Sequence, residues 1–119
     1  MSPNTRVLIA DDHPHALHGL RAMLAASPAI EIVGEAAHGR EAVEQAEKCR
    51  PDVVVMDARM PVMDGLEATR LIKKRQPEVR VIVLPMYPLH RGEALAAGAD
   101  AFLVKGCSAD ELRAAIMEC

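Results

Sequence analysis

Apolar residues arrive in two rhythms along this chain. Short unbroken runs, VLIA at 7–10, VVVM at 53–56 and VIVL at 81–84, alternate with stretches where apolar positions recur three or four residues apart. The first rhythm belongs to strands buried on both faces, the second to helices with one face in a core. Thr5 to Ala10 is a predicted strand, followed by a helix over Pro14 to Ser27 that aligns Leu17, Leu20 and Leu24, with Met23 alongside. Glu31 to Ala36 gives a second strand, and Arg40 to Cys49 a helix with Ala42, Val43 and Ala46 on one face. Val53 to Asp57 is the third strand. Leu66 to Gln76 follows as a helix with Leu66, Thr69, Ile72 and Lys73 in rows, widened by Ala68 and Leu71. Val81 to Leu84 is the fourth strand, Arg91 to Ala97 a short helix, and Ala101 to Lys105 the fifth strand. The last helix opens on Ser108-Ala-Asp-Glu111, where Ser108 and Glu111 can each satisfy an orphan backbone N–H, and runs on through Leu112, Ala115 and Ile116.

Strand and helix therefore alternate five times, with no low-complexity segment, long linker or internal repeat between them. Strands apolar on both faces need helices on both sides, which predicts an α/β fold with a doubly wound parallel sheet. In such sheets ligands gather beyond the carboxyl ends of the strands, where the strand order reverses.

At 119 residues the chain has room for one domain and one core. Only Tyr87 and Phe102 are aromatic, so that core is aliphatic. The net charge of -3, with no basic stripe, argues against nucleic-acid binding by this domain itself. No apolar run reaches the roughly 18 residues that span a bilayer. The opening MSPNTRVLIADD lacks the apolar centre of a signal peptide, so a cytoplasmic protein without membrane contact is expected. Cys49, Cys107 and Cys119 are scattered and lack metal-ligand spacing, which predicts free thiols.

The chemistry lies at the predicted strand ends. Strand 1 ends in Asp11-Asp12, strand 3 in Asp57 and strand 5 in Lys105. If strands 1 and 3 are neighbours, three carboxylates converge at one rim, and such crowding is costly unless a cation neutralises it. Mg2+ is suited, because it takes oxygen ligands and keeps several waters. Lys105 adds a fixed positive point. Metal and ammonium together suit phosphoryl transfer, and Asp57 is the natural nucleophile, since aspartate can form an aspartyl-phosphate. Taken singly, each of these residues has an ordinary explanation: an acid after a strand is commonly a turn or helix-cap residue, and a lysine there is commonly solvated. Their joint occurrence at three strand ends is what points to a site.

Three segments, VLIADDHP, VVVMDARMPVMDGLEATR and AGADAFLVKG, resemble the receiver domain of two-component response regulators, in order and across essentially the whole chain. The DDHP opening, the Arg-Met-Pro after the acceptor and a Gly after the lysine are most similar to the NarL/FixJ (LuxR-type) subfamily. The resemblance implies a flavodoxin-like sheet of order 2-1-3-4-5 with five helices, and one receiver domain over residues 1–119. It implies that Asp57 accepts a phosphoryl group from a sensor histidine kinase and that Lys105 pairs with the phosphoryl oxygens. Asp12 would coordinate Mg2+ directly, Asp11 through water, and the backbone carbonyl of Arg59 would complete the set with Asp57. DNA would be reached only through an output domain absent from this chain, and a homodimer is compatible with the family. Beyond its own phosphorylation and dephosphorylation no enzymatic activity is implied. A small Mg2+-dependent phosphohydrolase is disfavoured, because no cap domain or general acid near Asp57 is visible.

One position departs from the pattern. The family places Thr or Ser at the end of strand 4, where the hydroxyl grips the phosphoryl group; here Pro85 stands there, with Pro88 close behind. Proline has neither a side-chain donor nor a backbone N–H. The segment from Pro85 to Lys105 is also about two residues shorter than the family's usual length. An alternative function follows: an atypical receiver acting as a phosphorylation-independent dimerisation or partner-binding module. Phe102 falls at the family's switch aromatic. Arg59 sits where it can tune the acceptor mouth or simply lie exposed. His13, His15 and His18 are expected to be solvated rather than to form a transition-metal site.

Overall fold

The computed structural model describes residues 4–85 and 91–118; Tyr87, Pro88 and Cys119 lie outside the described residues. Five strands and five helices alternate along the chain: β1 (Thr5–Ala10), α1 (Pro14–Ala25), β2 (Ile30–Ala36), α2 (Gly39–Cys49), β3 (Val53–Met56), α3 (Gly65–Arg75), β4 (Arg80–Val83), α4 (Arg91–Ala96), β5 (Ala101–Phe102) and α5 (Ala109–Met117). The strands form one sheet of order β2-β1-β3-β4-β5, parallel throughout. Among the described residues no helix is long and apolar enough to cross a membrane.

Successive strand residues point to opposite faces, so each unbroken apolar run feeds two cores. Leu8, Ala10, Val54, Met56, Val81 and Val83 pack with Ala42, Ala46, Ala68, Ile72 and Ala94 from α2, α3 and α4. Val7, Ile9, Val53, Val55, Ile82 and Leu84 pack with Leu20, Leu24, Leu112 and Ile116 from α1 and α5. Burying one such aliphatic side chain contributes about 1.5–3 kcal/mol, which is why every buried position of the central strands is apolar and Thr5, Arg6 and Arg80 stand only at their half-buried starts.

Helix boundaries follow local chemistry. Asp64 accepts from Glu67 N at 2.9 Å and starts α3 one residue before Leu66, the expected start. The capping box of α5 is present, with Ser108 Oγ accepting from Glu111 N and Glu111 Oε1 from Ser108 N. α1 stops at Ala25 instead of the expected Ser27; Ser27 precedes Pro28, and a residue before proline is driven out of the helical region. α4 ends at Ala96, one residue short of expectation, in front of Gly98 at φ +102°. Lys73, expected in an apolar row, instead sends Nζ to the carbonyls of Pro77 and Val79 and to Asp100 Oδ2. Cys49 and Cys107 are free thiols.

Two strand ends differ from expectation in a way that bears on the site. β3 pairs only to Met56, one residue before Asp57, and β5 only to Phe102, three residues before Lys105. The backbone nevertheless continues along the same lines. Asp57 N donates to Ala10 O at 2.9 Å, Leu103 N to Val83 O at 3.0 Å, and Lys105 N to Pro85 O at 2.7 Å.

Candidate functional site

The register of β1 against β3 pairs Ala10 with Met56, so the next residue of each chain segment, Asp11 and Asp57, meets its neighbour at the carboxyl edge. Both are nearly sealed off, at 1% and 7% exposure. Lys105 arrives from the far side of the edge. Its Nζ lies 2.7 Å from Asp11 Oδ2 and 3.6 Å from Asp57 Oδ2. Burial first, then the charge of Asp11, push the Asp57 carboxyl above its ordinary value, and Lys105 offsets this only in part. For Lys105 burial works downward, yet its hydrogen bond to Asp11 and the charge of Asp57 outweigh it, and the ammonium titrates above its ordinary value. Lys105 is therefore a permanent cation at neutral pH.

Asp12 sits half-buried beside this pair. Its Oδ1 is buried and receives no hydrogen bond; His13 Nδ1 approaches to 3.0 Å without the alignment a hydrogen bond needs. One donor atom from each of Asp11, Asp12, His13 and Asp57 falls within a cluster no more than 4.8 Å across. Three carboxylates face one ammonium, and one buried oxygen lacks a partner. Surplus negative charge on hard oxygen donors is the setting that a divalent cation such as Mg2+ satisfies, so the residues present fit one.

The loop after Asp57 folds away from the rim. Met63 N donates to Pro61 O at 2.7 Å across Val62, which is exposed and held at φ +70°. Gly65 N then returns to Ala58 O at 2.8 Å. A Cβ on Gly65 would lie 1.7 Å from the carbonyl oxygen of Asp57, so only glycine lets α3 begin this close to the acid. Arg59 is exposed, on the border of an open depression shared with Asp12, Met60, Pro61, Val62 and Asp64.

The structure thus brings together Asp11, Asp12, Asp57 and Lys105. His13 is exposed, as expected, with its Nδ1 3.0 Å from Asp12 Oδ1 and 3.3 Å from Asp11 Oδ1; adjacency to the acid pair was the signal for this approach. His15 and His18 are exposed on α1 and belong to no such cluster among the described residues. Pro85 is buried at the end of β4. Phe102 is half-buried against the core, with the Arg91 guanidinium 5.8 Å from its ring centre.

The model of the response regulator receiver domain family matches residues 7–117. The chain belongs to this family. The receiver domain is 38% identical over 113 residues to the response regulator VraR of Staphylococcus aureus, covering 93% of this chain and 54% of VraR. It is 54% identical over 72 residues to a protein-glutamate methylesterase/protein-glutamine glutaminase of Alkalilimnicola ehrlichii, over 60% of this chain and 18% of that protein. The chain thus spans about half of the first relative and less than a fifth of the second. Its fold superposes on the receiver domain of NarL from Mycobacterium tuberculosis with a TM-score of 0.92 and 33% identity, over 98% of this chain and 95% of that one.

Proposed function

We propose that this receiver domain accepts a phosphoryl group on Asp57 from a sensor histidine kinase and passes the signal to an output domain, most simply a DNA-binding one. The observation that carries this is the near-buried Asp57 carboxylate, set between a permanent ammonium and two further carboxylates at one sheet edge. The relatives support a two-component role, and the length of VraR leaves room for an output domain beyond a receiver.

In the transfer, an oxygen of Asp57 bonds to phosphorus while the bond from phosphorus to the donor breaks, and the leaving group keeps the electron pair. The donor is the imidazole nitrogen of a kinase phosphohistidine or the acyl oxygen of a small phosphodonor. Lys105 holds positive charge beside the oxygens of the incoming group. Asp11 keeps the ammonium in place. Asp12, whose Oδ1 is free of hydrogen bonds, and Asp57 would hold Mg2+ directly, Asp11 through water, with the carbonyl of Arg59. Bound there, Mg2+ supplies the charge that lets three carboxylates and a phosphoryl group share one rim. The domain's catalysis is limited to its own phosphorylation and dephosphorylation.

Pro85 favours a second reading, a module that dimerises or binds partners without phosphorylation, because no hydroxyl stands where the family grips the phosphoryl group. Acetyl phosphate with and without Mg2+, followed by intact-mass measurement, separates the two. One phosphoryl adduct, dependent on Mg2+ and absent in Asp57→Asn, supports acceptance; an unmodified mass at saturating donor moves the assignment to the second reading.

A further inference from the structure

We propose that His13 is an additional ligand of the acid pocket, its Nδ1 joining Asp12 and Asp57 around a cation and biasing the site toward first-row metals with an affinity for imidazole. The proposal deepens the assignment of this pocket as a divalent-cation site and rests on it.

Among the described residues two histidines stand at helix N-caps, and they behave differently. At the start of α2, His38 turns its ring onto the helix, and Nδ1 accepts from Glu41 N at 3.1 Å. At the start of α1, His13 makes no side-chain cap. Its backbone N–H is pinned to Asp11 Oδ1 at 3.0 Å, and its ring is directed at the carboxylates instead. Nδ1 shares a hydrogen bond with Asp11 Oδ1 at 3.3 Å and lies 3.0 Å from Asp12 Oδ1. A cap bond is thus forgone, and a nitrogen is brought against an oxygen that has no hydrogen-bond partner.

Two ligand atoms about 2.1 Å from a metal and at right angles to each other are separated by about 3.0 Å. The Nδ1 to Asp12 Oδ1 distance matches that spacing. The ring is also 68% exposed, so it can adjust to an ion without disturbing the core. Imidazole suits Co2+, Ni2+ and Zn2+, whereas Mg2+ prefers oxygen and water. An all-oxygen pocket already favours the transition metals over Mg2+, so the diagnostic quantity is the part of that preference that depends on His13.

The test is calorimetric titration of the full chain with Co2+ and, separately, with Mg2+, in wild type, His13→Ala, His13→Gln, His15→Ala, His18→Ala and Asp12→Ala. His13→Ala and His13→Gln are expected to weaken Co2+ about tenfold more than they weaken Mg2+, and the His15 and His18 variants to match wild type. Co2+ should also give wild type a hyperfine-shifted imidazole resonance that His13→Ala lacks. Equal losses for both ions, an undiminished Co2+ affinity, or the same resonance in His13→Ala would overturn the role of His13. Failure of the pocket itself looks different: Asp12→Ala would then bind both ions as wild type does.

Discussion

The Lys105 ammonium rests on Asp11 at 2.7 Å and stands 3.6 Å from Asp57. The lysine is thus held by the more deeply buried acid, leaving the Asp57 carboxylate less engaged. Removing the cation exposes what it neutralises. Breaking a buried ion pair from one side costs about 3–5 kcal/mol, and Asp11 is then left with its contacts from His13 N and Nδ1, both to Oδ1. Lys105→Met is expected to lose about 3 kcal/mol in urea denaturation without divalent ions. Added Mg2+ should recover more of that loss than it adds to wild type, because the uncompensated carboxylates bind it more tightly. Equal Mg2+ effects in the two proteins would contradict this electrostatic account.

Asp57 gives a pH dependence of known sign. Its folded-state pKa is raised above 3.8 by burial and by Asp11, so the folded protein holds the proton more tightly than the unfolded chain. The stability it contributes is complete below the unfolded value and is lost as pH rises through the raised folded value. Without divalent ions, Asp57→Asn should therefore melt above wild type at pH 7, by about 4 °C for each kcal/mol relieved. The advantage should vanish as the pH falls toward 3.8. A pH-independent difference would sink the assignment to Asp57.

Gly65 tests the loop. A methyl group there meets the Asp57 carbonyl oxygen at 1.7 Å, a backbone atom that cannot rotate aside. Gly65→Ala is expected to cost about 2–3 kcal/mol by overpacking and to lower the rate of acceptance from acetyl phosphate. Wild-type stability and rate in this variant would show that α3 can shift away from the acceptor cheaply.

The three central strands were legible because each is apolar on both faces, a pattern only a doubly covered sheet can bury. Asp11, Asp12 and Asp57 were legible because they directly follow such strands, and Lys105 because it closes a fifth apolar run, of which the ladder keeps only Ala101 and Phe102. The extent of β5 was not. Pro85 accepts from Lys105 N but has no N–H to return, so the parallel ladder cannot be completed at that step. The choice of Asp11 over Asp57 by Lys105 depends on differences of an ångström between three converging segments, which no local pattern encodes. His13 is exposed, as expected; the direction of its ring was not legible, because a histidine before a helix signals no orientation until its rotamer is fixed, as its contrast with His38 shows.

Pro85 itself carries the last prediction. In the family pattern a hydroxyl at this place bonds the phosphoryl group only in the active arrangement and so biases a two-state equilibrium. A hydrogen bond to a charged group contributes roughly 1.5–3 kcal/mol, and about 1.4 kcal/mol is tenfold in population. Here that bond is unavailable. Pro85 is also tied down on both sides, since Leu84 N donates to Met56 O at 2.8 Å and Lys105 N to the Pro85 carbonyl at 2.7 Å. On the far side of β4, Arg91 lies over the Phe102 ring at 5.8 Å, a contact that any reorientation of the aromatic must give up. Beryllofluoride should therefore perturb wild-type amides near Asp57 and Lys105 but shift Phe102 and residues 91–97 only slightly. Pro85→Thr restores the donor and the backbone N–H, and should enlarge the response at Phe102 and over 91–97. Comparing mimic-induced amide shifts in the two proteins decides it. Large wild-type shifts at Phe102 that Pro85→Thr does not increase would show that this domain switches without the missing hydroxyl.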